Sequence, residues 1–152
     1  MRLCNRGSGR GFTLVELVLA IMIAGVIAAV AVPRMADRSA FQTRGGASEL
    51  RTALRYAQRL AMAKNREVCV TTTASDLTLM FNPSLTAGQP CIPVIRPDDG
   101  SNYVLTLPAG IALTPATTFR FDAQGRPSVT PIGLTVGGTV TVTVERETGY
   151  VQ

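Results

Sequence analysis

Gly11-Phe12-Thr13-Leu14-Val15-Glu16 opens the stretch whose reading decides the architecture. From Phe12 to Val32 the chain runs for 21 residues with a single charge, Glu16. As a helix rising ~1.5 Å per residue, this run covers about 31 Å, enough for a bilayer core of about 30 Å. Arg2, Arg6 and Arg10 stand in front of it and favour a cytoplasmic N-terminus, an asymmetry that Arg34 and Arg38 blunt from the far side. Three readings compete. The run is a secretory signal cut at Ala29-Val30-Ala31, a plain signal anchor, or a segment whose meaning lies in the junction at Gly11. It is long for a cleaved signal, and a carboxylate so early in it opposes insertion.

Outward from this run, the composition narrows the function. The chain has 152 residues, 46% apolar and only 16% charged, with no histidine. Ser-His-Asp and Cys-His nucleophile pairs, histidine bases and His-containing zinc sites are therefore excluded. No G-x-x-x-x-G-K-[ST] phosphate loop and no C-x-x-C pair occurs. An enzyme is not expected, nor a cofactor or a metal. The net charge of +5 is unevenly placed: +3 over residues 1–11, −1 over 12–33, +5 over 34–67 and −2 over 68–152. A basic tip, an apolar run, a basic helix and a mildly acidic remainder describe a chain built along an axis.

Pro33 removes one hydrogen bond from any helix that continues past it, so a kink or local break is expected near Gly25–Pro33. Beyond Gly45-Gly46, Ala47, Leu50, Leu54, Ala57 and Ala61 recur at three- and four-residue spacing and make one apolar helix face, flanked by Ala53 and Leu60. Arg51, Arg55, Arg59 and Arg66 lie on the other side, where they read as a solvated or neighbour-facing row before they read as a phosphate contact. From Val68 the period shortens to two. Strands are expected at Val68–Thr73, Leu77–Asn82, Tyr103–Leu107, Phe119–Asp122 and Thr139–Glu145, separated by turn signals such as Ala74-Ser75-Asp76 and Gly137-Gly138. Strict Val/Thr alternation in the last strand argues an antiparallel sheet buried on one face, with the Ala/Leu face of the helix as its cover. The expected fold class is α+β: a long N-terminal helix, transmembrane over 12–33 and amphipathic over 34–67, packed on a small antiparallel β-sheet domain over 68–152.

A short basic leader ending in glycine, then F-T-L-V-E and a further apolar stretch, resembles the N-terminus of type IV pilins and type II secretion pseudopilins. The resemblance implies the pilin fold and a leader spanning 1–11. It implies that a prepilin peptidase cuts after Gly11 and methylates the new terminus at Phe12, and that Glu16 is the acidic fifth residue of the mature chain. A carboxylate about 6 Å into the apolar layer costs roughly 2–3 kcal/mol at mid-membrane and less near the edge, so it marks a functional position whose partner must be named. The resemblance supplies that partner, the amino terminus of the adjacent subunit; the alternative is a glutamate snorkelling unpaired to the interface. A buried charge pair of this kind argues register more than stability. Other pilins or pseudopilins, met through the N-terminal helix, the peptidase and an inner-membrane assembly platform are the implied partners. The implied location is the inner membrane, single-pass, with the N-terminus cytoplasmic and the domain periplasmic, and then the filament.

F-R-F-D-A-Q-G-R-P at Phe119–Pro127 resembles the hairpin of GspH/FimT-type minor pilins, as does E-T-G-Y-V at Glu147–Val151. With L-R-Y-A-Q-R-L-A-M at Leu54–Met62, the chain looks closest to minor pilins of the MSHA (mannose-sensitive haemagglutinin) pilus, with a type II secretion minor pseudopilin as runner-up. DNA uptake, known in FimT-like pilins, rests on a basic C-terminal element; here Glu145 to Gln152 hold two acids and one base, so nucleic acid is an unlikely partner. Cys4 leaves with the leader, and Cys69 and Cys91 remain. In an oxidising compartment they read as a disulfide, with two buried free thiols as the alternative. Asp98-Asp99-Gly100-Ser101-Asn102 lacks the spacing of a calcium loop and reads as a plain turn.

Overall fold

One helix, α1 (Leu14–Lys64), runs through 51 residues. The computed structural model describes residues 12–96, 100–129 and 132–152, without the side chains of 30–37. Of the kink or local break expected near Gly25–Pro33, the break is not found, since helical assignment continues through both residues; a proline deletes a single N–H donor, and the bonds on either side carry the helix past it. The chain nevertheless divides into two compact units, Met1–Arg38 and Ser39–Gln152, so α1 contributes to both. The second half of the helix belongs to the same unit as the strands that it covers.

Helix α1 also stops three residues short of the expected end. Asn65 takes a left-handed φ of 47°. The Asn65 N–H bonds Met62 O at 3.2 Å and the Arg66 N–H bonds Ala61 O at 3.1 Å, the paired closure of a Schellman cap. Asparagine tolerates that conformation better than other non-glycine residues, which is why the helix ends there.

The strands are β1 (Val68–Thr72), β2 (Asp76–Phe81), β3 (Ile92–Pro93), β4 (Val104–Thr106), β5 (Leu113–Thr114), β6 (Thr117–Phe121), β7 (Ile132–Val136) and β8 (Val140–Val144). They make two antiparallel sheets where one was expected. The first has the order β3-β2-β1-β6, with β4 also on β2; the second has the order β5-β7-β8. Register sets Val68 opposite both Phe81 and Phe121, and Val70 opposite both Leu79 and Phe119. In the second sheet Leu134 faces Val142 and Val136 faces Val140 across the Gly137-Gly138 turn.

The expected helix face is the one that packs. Ala47, Leu50, Leu54, Ala57 and Ala61 are fully buried, and Ala53 joins them. Val68, Val70, Leu79, Phe119 and Phe121 meet them from the first sheet, and Leu134, Val136, Val142 and Val144 from the second. Alanine dominates the helix side because small side chains bring backbone and sheet close. Gly46 carries this furthest, since a Cβ there would lie 3.0 Å from Leu107 Cδ2. The C-terminal segment closes the structure: Val151 is buried and bridges Val144, Thr143 and Gln152 exchange two hydrogen bonds of 3.0 Å, and Arg55 Nη2 donates to Val151 O at 2.9 Å.

Candidate processing and assembly site

The residues singled out by the sequence fall in two places. Gly11 lies outside the described residues, as do Asp98 and Asp99 of the acidic turn. Phe12 precedes the helix and is 83% exposed. Thr13 caps the helix: its Oγ1 accepts the Glu16 N–H at 3.2 Å, while its carbonyl accepts the Leu17 N–H at 3.1 Å. The cap satisfies one of the four orphan donors at a helix start, and Glu16, in the first turn, adds a carboxylate to the positive end of the helix dipole. Thr13 was missed in the sequence, although T-x-x-E before an apolar run is the capping-box signal. The result is a helix whose first residue, Leu14, sits two positions after Phe12, so a terminus created there is held at the helix mouth.

From Phe12 to Ala29 every side chain is exposed, including Leu14, Val15, Leu17 and Ile21. A row of Leu14, Val15, Val18, Leu19 and Met22 forms a shallow apolar groove along the helix. Contiguous apolar surface of this kind is not stable against water and marks a membrane or protein contact. Among the described residues no helix is long and apolar enough to cross a membrane; the span expected over 12–33 runs on past Ala29, where the described side chains stop before resuming at Arg38.

The second place is the covalent one. Cys69 on β1 and Cys91 before β3 are joined as a disulfide across a separation of 22 residues. Around it a polar knot holds the same loop, and this knot was not legible in the sequence. Glu67 Oε2 accepts from the Gly88 N–H at 2.8 Å, from Asn82 Nδ2 at 3.2 Å and from Arg120 Nη1 at 3.0 Å. Arg120 Nη1 also donates to Gln89 O at 3.0 Å. Partial burial pushes the Glu67 carboxyl up, but the Gly88, Asn82 and Arg120 donors outweigh it and hold the group below the ordinary glutamate value. Asn82, fully buried, donates to Thr86 O and accepts from the Ser84 N–H, so the loop is tied at both ends. No group of three or more metal-ligating side chains occurs among the described residues.

A helix with an uncovered apolar front, followed by two small sheets folded on its rear, leaves the family to be settled by comparison. Residues 46–151 match the family model described as type II transport protein GspH. The chain belongs to the GspH family. Residues 7–32 match the prokaryotic N-terminal methylation motif, so this GspH-family chain carries the motif and the domain together. Among solved structures, the minor pseudopilin EpsH from the type 2 secretion system of Vibrio cholerae is similar over 73% of this chain and 94% of its own, at 20% identity and a TM-score of 0.55. A second structure of EpsH gives 19% identity, coverage of 73% and 92%, and a TM-score of 0.54. The type IV minor pilin FimU of Pseudomonas aeruginosa shares 17% identity over 72% of this chain and 85% of its own, with a TM-score of 0.48. At such identities the likeness is one of fold: a helix packed on antiparallel sheet, as in the pseudopilin EpsH. No curated protein sequence matches the chain significantly.

Proposed function

We propose that this GspH-family chain is a minor, non-catalytic subunit of an extracytoplasmic filament. Prepilin peptidase cuts it after Gly11 and methylates Phe12; the apolar helix holds it in the inner membrane, N-terminus inside and domain in the periplasm, until an assembly platform passes it into the filament. Glu16 then pairs with the amino terminus of the neighbouring subunit. One observation carries the reading: a methylation motif at 7–32 and a GspH-family domain at 46–151 on one chain. The exposed apolar side chains from Phe12 to Ala29 support it, because they need a cover that the described chain does not provide.

The filament we favour is of the MSHA pilus type, on the resemblance at Leu54–Met62 and Glu147–Val151. A type II secretion pseudopilus is the second reading, favoured by the family match itself. Intact-mass measurement tests the common core: the mature chain begins at methylated Phe12, and Gly11→Val leaves the precursor uncut in the membrane. Mature chain beginning at Phe12 in that variant refutes the processing. Deletion separates the two systems: loss of surface pili with secretion intact supports the first, and loss of type II secretion with pili intact supports the second.

A further inference from the structure

Residues 82–91, which end on Cys91, are tied to the first sheet at short intervals by bonds that involve neither sulfur. The β1–β2 register sets Phe81 opposite Val68, and β3 returns to set Ile92 opposite Phe81, so residues 82–91 have only a short loop to close. Asn82 opens it: its N–H donates to Glu67 O at 2.8 Å, and its Nδ2 donates to Glu67 Oε2 at 3.2 Å and to Thr86 O at 2.8 Å. The Ser84 N–H gives to Asn82 Oδ1 at 2.8 Å and the Thr86 N–H to Ser84 Oγ at 3.1 Å. The Gly88 N–H then returns to Glu67 Oε2 at 2.8 Å, from a left-handed φ of 80° that glycine adopts without steric cost. Pro83 and Pro90 narrow the alternatives open to the unfolded loop at both ends.

Arg120 joins the two halves of the cysteine pair. It stands opposite Cys69 in the β1–β6 register, so the two side chains leave the same face of the sheet with Cβ atoms ~4.5–5.5 Å apart. Its Nη1 donates at 3.0 Å both to Glu67 Oε2 and to Gln89 O, two residues before Cys91. One guanidinium, anchored beside the first cysteine, thus holds the backbone that carries the second. We propose that this knot is a template for oxidation: it folds residues 82–91 onto the sheet while both cysteines are still thiols, and Arg120 is the residue that positions Cys91 against Cys69. Closing the 22-residue separation then costs little, because the second thiol acts at an effective concentration set by geometry. With oxidised glutathione as the oxidant, the thiolate of one cysteine attacks its S–S bond, a mixed disulfide forms and one glutathione thiolate leaves. The thiolate of the other cysteine attacks the protein sulfur of the mixed disulfide and expels the second glutathione. The chain gives up two electrons and the two thiol protons, and the glutathione disulfide is reduced to two thiols. The template acts on the second, intramolecular step.

The test uses the full-length chain in detergent micelles, with Cys4→Ser throughout so that two thiols are counted. Reduced chain is equilibrated with mixtures of reduced and oxidised glutathione, trapped by alkylation and read by mass. Arg120→Gln should lower the equilibrium constant for disulfide formation about tenfold, the loss of charge-assisted hydrogen bonds to the loop. Arg126→Gln, which removes the Arg126–Asp122 pair on the turn after β6, should leave it unchanged. Hydrogen exchange separates a template from a general support. With Cys69→Ser and Cys91→Ser, the amides of residues 82–91 should remain protected; adding Arg120→Gln should speed their exchange about tenfold while residues 68–81 stay protected. Free exchange of residues 82–91 in the serine chain overturns the proposal, since the disulfide would then make the loop. So does an Arg120→Gln chain whose loop exchange and glutathione equilibrium match the wild type, an equal fall with Arg126→Gln, or a loss of protection that reaches residues 68–81. Neither readout involves processing or assembly, so the template stands or falls apart from the filament reading.

Discussion

Leu17 and Leu54 stand on the same uninterrupted helix, yet Leu17 is 60% exposed and Leu54 is completely buried. The front of α1 is more apolar than the rear, and among the described residues it is the front that has no cover. Hydrophobicity alone therefore does not say what a helix packs against. The rear has period: Ala47, Leu50, Leu54, Ala57 and Ala61 form one stripe with arginines opposite, and a stripe specifies a one-sided partner, the two sheets. The front is apolar all round, and a helix apolar all round calls for an environment that surrounds it. In the reading proposed above, lipid supplies that environment first and other subunits later.

The comparison breaks if the two leucine environments respond alike to truncation. Phe121→Ala, in the buried rear, should lower the stability of the folded chain by about 3–5 kcal/mol in chemical denaturation. Leu17→Ala should change it by less than about 0.5 kcal/mol, as for a surface position. Equal losses would mean that the front is part of the folded core after all. Glu16→Ala sharpens the contrast from the other end. Membrane insertion and cleavage after Gly11 should survive, while, if the pairing proposed above is formed, docking beside a neighbour loses roughly 3–5 kcal/mol because one member of that buried pair is gone. The processed chain should stay in the membrane and be missing from sheared filaments; recovery there at wild-type level would dismiss the pairing.

Smaller effects probe the loop that the rear unit ties down. Cys69→Ser with Cys91→Ser should cost about 3 kcal/mol, the chain-entropy value for a closed loop of this size, and thiol labelling of the wild-type chain from residue 39 onward should find no free cysteine. The Glu67 knot has a pH signature. Its carboxyl sits below the ordinary value of 4.5 when folded, so the stability it contributes is fully present above that value and is lost as pH falls through the lowered one. Glu67→Gln should cost about 1–2 kcal/mol at neutral pH and remove that part of the acid sensitivity; denaturation midpoints from pH 6 to 3 that fall in parallel for both proteins would exclude Glu67 as its source. The smallest expected effect is at the helix mouth, where Thr13→Ala removes a cap worth about 1 kcal/mol and Thr13→Ser keeps it, read as helix protection of the first turn in hydrogen exchange.

The legibility of the sequence followed the same divide. Long periodic segments announced themselves: the apolar run, the Ala/Leu stripe, and the Val/Thr alternation of β8. What escaped was short or interrupted. Ile132-Gly133-Leu134-Thr135-Val136 alternates like its partner β8, but a glycine at its second position weakens the pattern, and the Gly137-Gly138 signal was read as a turn without the strand before it. β3 and β5 have two residues each, too few for any period, and β3 contains a proline that suits it only for an edge. Without β5 and β7 there was no second sheet to expect. At the site, Gly11, Phe12 and Glu16 came from a resemblance to a known junction, and the cap on Thr13 was legible but unread. The Glu67–Arg120 pair joins positions 53 apart and depends on strand register, which no local signal carries.

The tie between Arg55 and Val151 makes closure of the rear unit a long-range event. The rear of the helix is completed by residues about 90 positions further along, because Gln58 Nε2 also donates to Thr148 O, 90 positions away, and β8 takes Gln152 as its edge partner. With residues 39 to 146 alone, the apolar face of the helix still lacks its final neighbours. Without Val151, Val144 keeps an open edge. Closure of this unit therefore waits on contacts as far as 96 positions apart, and the loop they close must be ordered before they can reward it.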